Sequence, residues 1–474
     1  MAGTALAAAA VAKPVAQAAM LGQYTKRELT ARPAAGDRLF RSAAVEAAIT
    51  SVSRDIADVE LRAIFANCLP NTLDTTVFPG TRNGKPDTFV ITGDIDALWL
   101  RDSSAQMHPY LPFVGQDKAL ARLVQGLIHR HAASILLDPY ANSFRRNATD
   151  PPLEWAVKDA TEHKPGVGER KWEVDSLCYP IRLAHGFWKA TGNTEALDSE
   201  WRAAAALILK TFREQQRFHD RGPYHFQRRA ENPTDSVILG GFGAPTKPNG
   251  MLHSIFRPSD DACTFPLFVP ANLFAVKALT MLAELLTAVQ ETKLSSEARA
   301  LAAEVQAATE RHGRVQHPVH GEIWAYEIDG FGNANLMDDA NAPGLLSLAY
   351  LAESSLSDAL YTRTRSFALS PDNPYFFQGN AAKGIGGPHV GLGYIWPMAI
   401  MMRALTSTDN AEIVVALRTL RNTTAGTHFM HEAFHMDDPA RFTRPWFAWA
   451  NTLFGELILK LHRERPALLR QQLG

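Results

Sequence analysis

Apolar residues recur along this chain at helical spacing, and the polar positions between them form two kinds of gap. Short gaps fall at 115–117, 191–193, 293–296, 354–357 and 406–410. Long polar loops fill the intervals between them. A short joint forces the two helices it connects to lie antiparallel. The periodicity predicts about twelve helical segments. Short and long joints alternating around a ring would make an all-α (α/α)6 toroid with minor short strands, and every long loop would emerge at one end. A first amphipathic helix is expected over 38–68, stopped by Pro70. Others follow from Ser103 and over 117–136, 175–191, 195–217, 270–291 and 296–311. Pro343 suits the first turn of another, and a last apolar helix covers 446–461. The segment 71–99, with its Thr88-Phe89-Val90-Ile91-Thr92 alternation, reads as small strands or extended loop.

The unusual chemistry lies in the loops that precede apolar helices, centred near Asp96, Asp175, Asp260, Asp338, His389 and Glu432. A helix start offers free backbone N–H groups and a partial positive charge, so such ends converging on a cavity can hold carboxylates and hydroxyls. An aspartate there is most simply a cap, and Asp102, Asp175 and Asp339 fit capping positions. The consecutive pair Asp260-Asp261 resists that reading, because a cap needs one acid. A second beside it invites coupled titration that leaves one carboxyl protonated. Glutamate caps poorly, which favours a functional reading of Glu432. Paired carboxyls of this kind are what glycoside hydrolysis needs, one to protonate the leaving oxygen and one to act on water or carbon. The spacing His431-Glu432-Ala433-Phe434-His435 matches a zinc motif that needs a helix. Pro439 follows soon after, and the helical pattern resumes only near Trp446, so the zinc reading is set aside. The glycine-rich run 384–393 follows no strand and contains Pro388, so it reads as close backbone approach rather than a phosphate cradle. Trp99, Trp172, Trp396, Trp446 and Trp449 border the loops, where aromatic faces can pack on sugar rings or on the core.

Composition narrows the partners. The chain has 474 residues, 46% of them hydrophobic, and a formal net charge of -1. No basic stripe suits nucleic acid, and no apolar run beyond the N-terminus approaches membrane-spanning length. Nine tryptophans, ten tyrosines and many loop carboxylates fit an uncharged polar ligand such as a carbohydrate. Cys68, Cys178 and Cys263 are widely spaced and read as free buried thiols. Residues 1–37 form an alanine-rich segment, and 38–474 read as one domain. The small-residue run Thr4 to Ala12 and the cleavage-like Ala16-Gln17-Ala18 favour an export-signal remnant, hence a periplasmic or secreted protein, over a disordered tail on a cytoplasmic one.

Five stretches then carry a resemblance. Thr92-Gly93-Asp94-Ile95-Asp96-Ala97-Leu98-Trp99-Leu100-Arg101-Asp102, Phe256-Arg257-Pro258-Ser259-Asp260-Asp261-Ala262, Leu336-Met337-Asp338-Asp339-Ala340-Asn341, Gly386-Gly387-Pro388-His389 and Trp446-Phe447-Ala448-Trp449-Ala450-Asn451 resemble glycoside hydrolase family 125 in the same order. The resemblance implies an inverting, metal-independent exo-α-1,6-mannosidase without cofactor, acting on a mannose-containing oligosaccharide or glycan. It places the general acid at Asp260 or Asp261 and the general base at Glu432. Asp96, Trp99, Arg101, Asp102, Arg257, Asp338 and His389 are then the expected substrate contacts. The chain departs from the family at Ala433, where a serine is common. The rival readings are another toroidal exo-glycosidase or lyase, and a sugar-binding protein without catalysis.

Overall fold

Short joints link a helix of an inner ring to one of an outer ring in the computed structural model, which describes residues 31–474; the joint expected at 293–296 lies instead at 289–291, because residues 293–296 belong to the helix Thr292–His312. The inner helices are Leu100–Met107, Val174–Thr191, Val269–Ala288, Leu348–Leu351, Pro397–Leu405 and Ala448–Glu464. The outer helices are Val59–Cys68, Lys118–Leu137, Ser199–Gln215, Thr292–His312, Ala359–Ala368 and Asn410–Asn422. The first four inner helices pack in sequence order, the fifth packs on the sixth, and Ala448–Glu464 closes the ring against Leu100–Met107. Leu346 and Ser347, directly before the fourth inner helix, line a small cavity with Met398 and Met402 of the fifth. The long loops precede the inner helices, so they gather at one end, as an (α/α)6 toroid requires.

The two rings differ in patterning because their surroundings differ. The outer helix Thr292–His312 buries Ser295, Ala298, Leu301, Ala302, Val305, Ala308 and Thr309, one stripe at helical spacing. The inner helix Val269–Ala288 is buried on most of its surface. Its mean hydropathy of 1.4 makes it long and apolar enough to cross a membrane by composition, contrary to the sequence expectation. Enclosure between ring neighbours accounts for that hydropathy, since 72% of the window is buried inside the protein.

Capping divides the rings as well. Asp58, Asp117, Asp198, Asp358 and Asp409 cap outer helices through their side chains. The inner helices after Trp99, Glu173, Phe268, Trp396 and Phe447 have no side-chain cap. Four of these bond their first N–H group to another loop instead, and the fifth starts at Pro397, which has no N–H. Leu100 N donates to Asn142 O, Val269 N to Tyr326 O and Ala448 N to Thr92 O, each at 3.0 Å. Val174 N donates to Ser254 Oγ at 3.0 Å. The caps expected at Asp102, Asp175 and Asp339 are therefore corrected. Asp102 and Asp175 lie inside the first turns, and Asp339 bonds to Asn341.

Some boundaries also move. The helix expected over 38–68 breaks after Asp55, because Asp58 accepts from Leu61 N and starts a second helix. The helix expected at Pro343 begins only at Leu348, because Asp338 holds the N–H groups of Leu345 and Leu346. Val77–Arg82 and Lys85–Val90 form a hairpin turned by Asn83-Gly84, both left-handed at φ 53° and 78°. Gly93 bridges to Phe447 and joins the first loop to the last. A Cβ on Gly93 would stand 2.1 Å from Trp446 O, and its φ of 128° is one that only glycine adopts freely. The three cysteines are free, with Cys68 and Cys178 buried and Cys263 partly so. The alanine-rich run and its cleavage-like site lie outside the described residues.

Candidate active site

Arg101, buried in the first turn of the first inner helix, gathers four carboxyls from three loops. Its Nη1 meets Glu173 Oε2 and lies 3.6 Å from Asp175 Oδ2. Its Nη2 lies 3.4 Å from Asp260 Oδ1, and its Nε 3.5 Å from Asp102 Oδ2. One guanidinium cannot offset four negative charges, three of them buried and the fourth, on Asp260, partly exposed, so the carboxyls separate in acidity. Burial pushes Glu173 well above the usual range, with Arg101 opposing and Asp260 and Asp175 adding to the rise. Burial likewise takes Asp102 and Asp175 to about 6 against the pull of Arg101. Burial acts the same way on Asp260, but Arg101 and Lys171 outweigh it and hold that carboxyl well below its ordinary value.

The Asp260 loop is built for presentation. Asp260 N donates to Arg257 O at 2.9 Å and Arg257 N to Asp261 O at 2.8 Å, a tight turn. Asp260 closes it in the left-handed region at φ 67°, a conformation that costs a non-glycine residue of order 1 kcal/mol. Asn142 Nδ2 donates to Asp260 Oδ1 at 3.0 Å, and Lys171 Nζ to Asp260 O at 2.7 Å. Asp261 points elsewhere and is fully buried. Thr234 Oγ1 donates to its Oδ1 at 2.5 Å and Ser259 Oγ to its Oδ2 at 2.7 Å. His389 Nδ1 stands 3.7 Å from Asp261 Oδ1. Burial works against a charge on His389, but the Asp261 carboxylate, aided by Glu432 and Asp260, raises the imidazole to about 9. His389 is an imidazolium at neutral pH.

Glu432 enters from the last loop. It precedes the strand Ala433–His435, which pairs with Asp438–Thr443 and Tyr394–Ile395. Thr443 Oγ1 donates to Glu432 Oε2 at 3.0 Å, and Arg444 Nη1 lies 3.4 Å from Oε1. Arg444 also bonds Asp94 at 2.6 Å through Nη2, which ties the first and last loops together. Ala433, the departure from the family, is buried, and the hydroxyl beside the carboxylate comes from Thr443. The His431–His435 stretch is not helical. His431 stacks on Phe442 and reaches Thr427 Oγ1, so the pair does not form the zinc motif's helical face.

The remaining expected residues divide. Arg257 is anchored to buried Glu327 through Nε at 2.7 Å. Asp338 spends both oxygens on Leu345 N and Leu346 N, at 2.7 and 2.9 Å. Asp96 lies exposed at the rim, paired with Arg146 at 2.9 Å. Trp99 is buried beside Ala97, Leu153 and Ala156. Trp99 Nε1, Asp102 Oδ2, Glu173 Oε1, both Asp175 carboxylate oxygens, Asp339 Oδ2 and Trp396 Nε1 are buried without a hydrogen-bond partner among the described residues. Gly387 lets the His389 loop approach, since a Cβ there would lie 2.9 Å from Asp339 Oδ2. Sequence reasoning missed Glu173, Asn142, Lys171 and Arg444. Only Glu173 left a signal, as a poor capping residue directly before an apolar helix.

Comparison with known proteins adds identity to this geometry. The family described as "Metal-independent alpha-mannosidase (GH125)" matches residues 58–459. The meiotically up-regulated gene 157 protein of Schizosaccharomyces pombe is 39% identical over 461 residues, 93% of this chain and 90% of that protein. A metal-independent α-mannosidase structure from Streptococcus pneumoniae, a non-productive complex with α-1,6-mannobiose, superposes with TM-score 0.86. It is 39% identical and covers 90% of this chain and 100% of its own. A bacterial glucoamylase bound to acarbose superposes at TM-score 0.52 with 13% identity, covering 89% of this chain and 59% of its own, and shows the fold alone. The chain therefore belongs to the GH125 family of metal-independent α-mannosidases.

Proposed function

We propose that this α-mannosidase is exo-acting and removes terminal, non-reducing α-1,6-linked mannose with inversion. Glu432 takes a proton from a water molecule on one face of the sugar. Asp260 protonates the leaving oxygen on the other. Inversion by this route needs carboxyl groups about 6.5–9.5 Å apart, with the water between. One observation carries the reading: Asp260 and Glu432, from the middle and near the end of the chain, are both held to the first loop and its helix, Asp260 by Arg101 at 3.4 Å and Glu432 by Arg444, which also bonds Asp94. Glu432 has the surroundings of a base, with a hydroxyl and a guanidinium facing its oxygens. Asp260 is favoured over Asp261 as the acid because both oxygens of Asp261 are engaged by hydroxyls and its side chain is fully buried. The linkage follows the α-1,6-mannobiose held by the S. pneumoniae relative.

Incubation with α-1,6-, α-1,2- and α-1,3-linked mannobioses in the presence of a chelator tests this, with NMR of the first anomer released. The expected result is β-mannose appearing first from the α-1,6 disaccharide. α-Mannose as the first product, or faster cleavage of another linkage, would overturn it.

A further inference from the structure

An aspartate that is ionised at rest cannot protonate a leaving group until it acquires a proton. Arg101, Lys171 and Asn142 all favour the ionised form of Asp260. The source of the proton has to lie close by, and Glu173 is the neighbour placed to supply it. Resting on the reading above, we propose that Glu173 and Asp260 share one proton beside Arg101, and that Glu173 holds it for delivery through Asp260 to the leaving oxygen of the α-mannoside.

The geometry distinguishes Glu173 from the other acids around that guanidinium. Glu173 is fully buried at the mouth of the second inner helix. Its Oε2 is occupied by Arg101 and by Ser176 Oγ, which donates at 2.6 Å. Its Oε1 is buried and has no partner among the described residues unless it carries a proton and gives it to a neighbour. Asp260 is that neighbour, since the two carboxyls lie against the two terminal nitrogens of one guanidinium, Glu173 Oε2 on Nη1 and Asp260 Oδ1 at 3.4 Å from Nη2. Charge requires the same. Four carboxylates around Arg101, with Lys171 adjacent, would leave net negative charge in a buried site, and like charges so placed retain a proton between them.

The step balances. The Glu173 O–H bond breaks as an Asp260 O–H bond forms. The Asp260 O–H bond then breaks as the bond between the anomeric carbon and the leaving oxygen breaks, and the proton ends on that oxygen. The water oxygen forms the new bond to the anomeric carbon as one of its O–H bonds breaks and that proton passes to Glu432. Glu173 is left as a carboxylate against Arg101, and exchange with solvent returns its proton as Glu432 releases one. Glu173 acts through Asp260 and is a positioning residue, not one that touches the sugar.

The test compares wild type with Glu173→Gln on α-1,6-mannobiose and on a dinitrophenyl α-mannoside, whose leaving group needs no proton. The expected result is a loss in kcat of about 10²–10⁴-fold on the disaccharide, the usual weight of acid catalysis, and less than about tenfold on the activated mannoside. The alkaline limb of the disaccharide profile should move to lower pH. An equal loss on both substrates would make Glu173 a structural anchor for Arg101 and overturn the proposal, as would an unaltered rate on the disaccharide. Ser176→Ala supplies a second reading if Glu173→Gln does not fold. Removing the hydroxyl that stabilises ionised Glu173 should shift the alkaline limb upward, and an unmoved limb would overturn the proposal. Wild-type protein that turned over neither mannoside would instead remove the function on which the proposal rests.

Discussion

Replacing Asp261 by Asn isolates the charge partner of His389 with little change in shape. Raising an imidazole from its usual 6.5 to about 9 corresponds to about 3.4 kcal/mol of preference for the charged form. The His389 side chain keeps 34% of its surface exposed, so solvent screening reduces the net stabilisation to about 1.5 kcal/mol. Thr234 and Ser259 present hydroxyls that can turn to accept from the new amide, so the loop keeps its hydrogen bonds. The sign follows from linkage. His389 is raised in the folded protein, so its contribution is complete below about pH 6.5 and is lost as pH climbs through about 9. Asp261→Asn should therefore be less stable than wild type by about 1.5 kcal/mol at pH 6 and by less than about 0.5 kcal/mol at pH 10. Urea unfolding at pH 6, 8 and 10 measures the gap, and nitrogen-15 NMR of labelled histidine follows the imidazole directly. A gap that stays constant with pH would refute the reasoning, because it would reflect packing. An imidazole that titrates in the variant as in wild type would refute it equally.

Three further outcomes are expected. Glu432→Gln should lower kcat on α-1,6-mannobiose by about 10²–10⁴-fold while leaving the unfolding midpoint near that of wild type, as read by mannose release and thermal scanning. Thr443→Val removes the hydroxyl that donates to Glu432 Oε2 at 3.0 Å, a loss of about 1 kcal/mol, and kcat/KM should fall about fivefold. Gly93→Ala forces a Cβ to within 2.1 Å of Trp446 O at a φ of 128°, and should destabilise the protein by about 2–3 kcal/mol in denaturant titration.

The ring was legible in the sequence because it is written in local terms. Joint lengths decide which helices lie antiparallel, and the stripe of Ser295, Ala298, Leu301, Ala302 and Val305 marks an outer helix with one face to the core. Glu432 was legible because glutamate caps poorly. The same argument applies to Glu173, but Asp175 two residues later drew the attention, and the helical register that separates them is fixed only by the fold. Arg444 and Asn142 left no local trace. Each matters through a partner far along the chain, Asp94 at a separation of 350 residues and Asp260 at 118. The same holds for Arg257 and Asp338, whose motif context signals importance but whose partners, Glu327 and the N–H groups of Leu345 and Leu346, make them supports of the loops.

The misassigned caps point to why the carboxyls are available at all. A buried N–H group left without a partner costs about 1–3 kcal/mol, so every inner helix start must be satisfied by something. Had Asp102 or Asp175 capped its own helix, its oxygens would have been consumed there, as Asp58 and Asp409 are on the outer ring. The inner ring assigns the task to neighbouring loops: Asn142 O serves Leu100 N, Ser254 Oγ serves Val174 N, Tyr326 O serves Val269 N and Thr92 O serves Ala448 N. Each loop that contributes to the cavity thereby fixes the start of a helix other than the one it leads into. Ala340 N to Gly386 O and Met436 N to Gly393 O extend the same linkage between the later loops. The acids of the first turns are left facing Arg101 and the cavity, held in place by a circuit of backbone bonds that no single loop could supply.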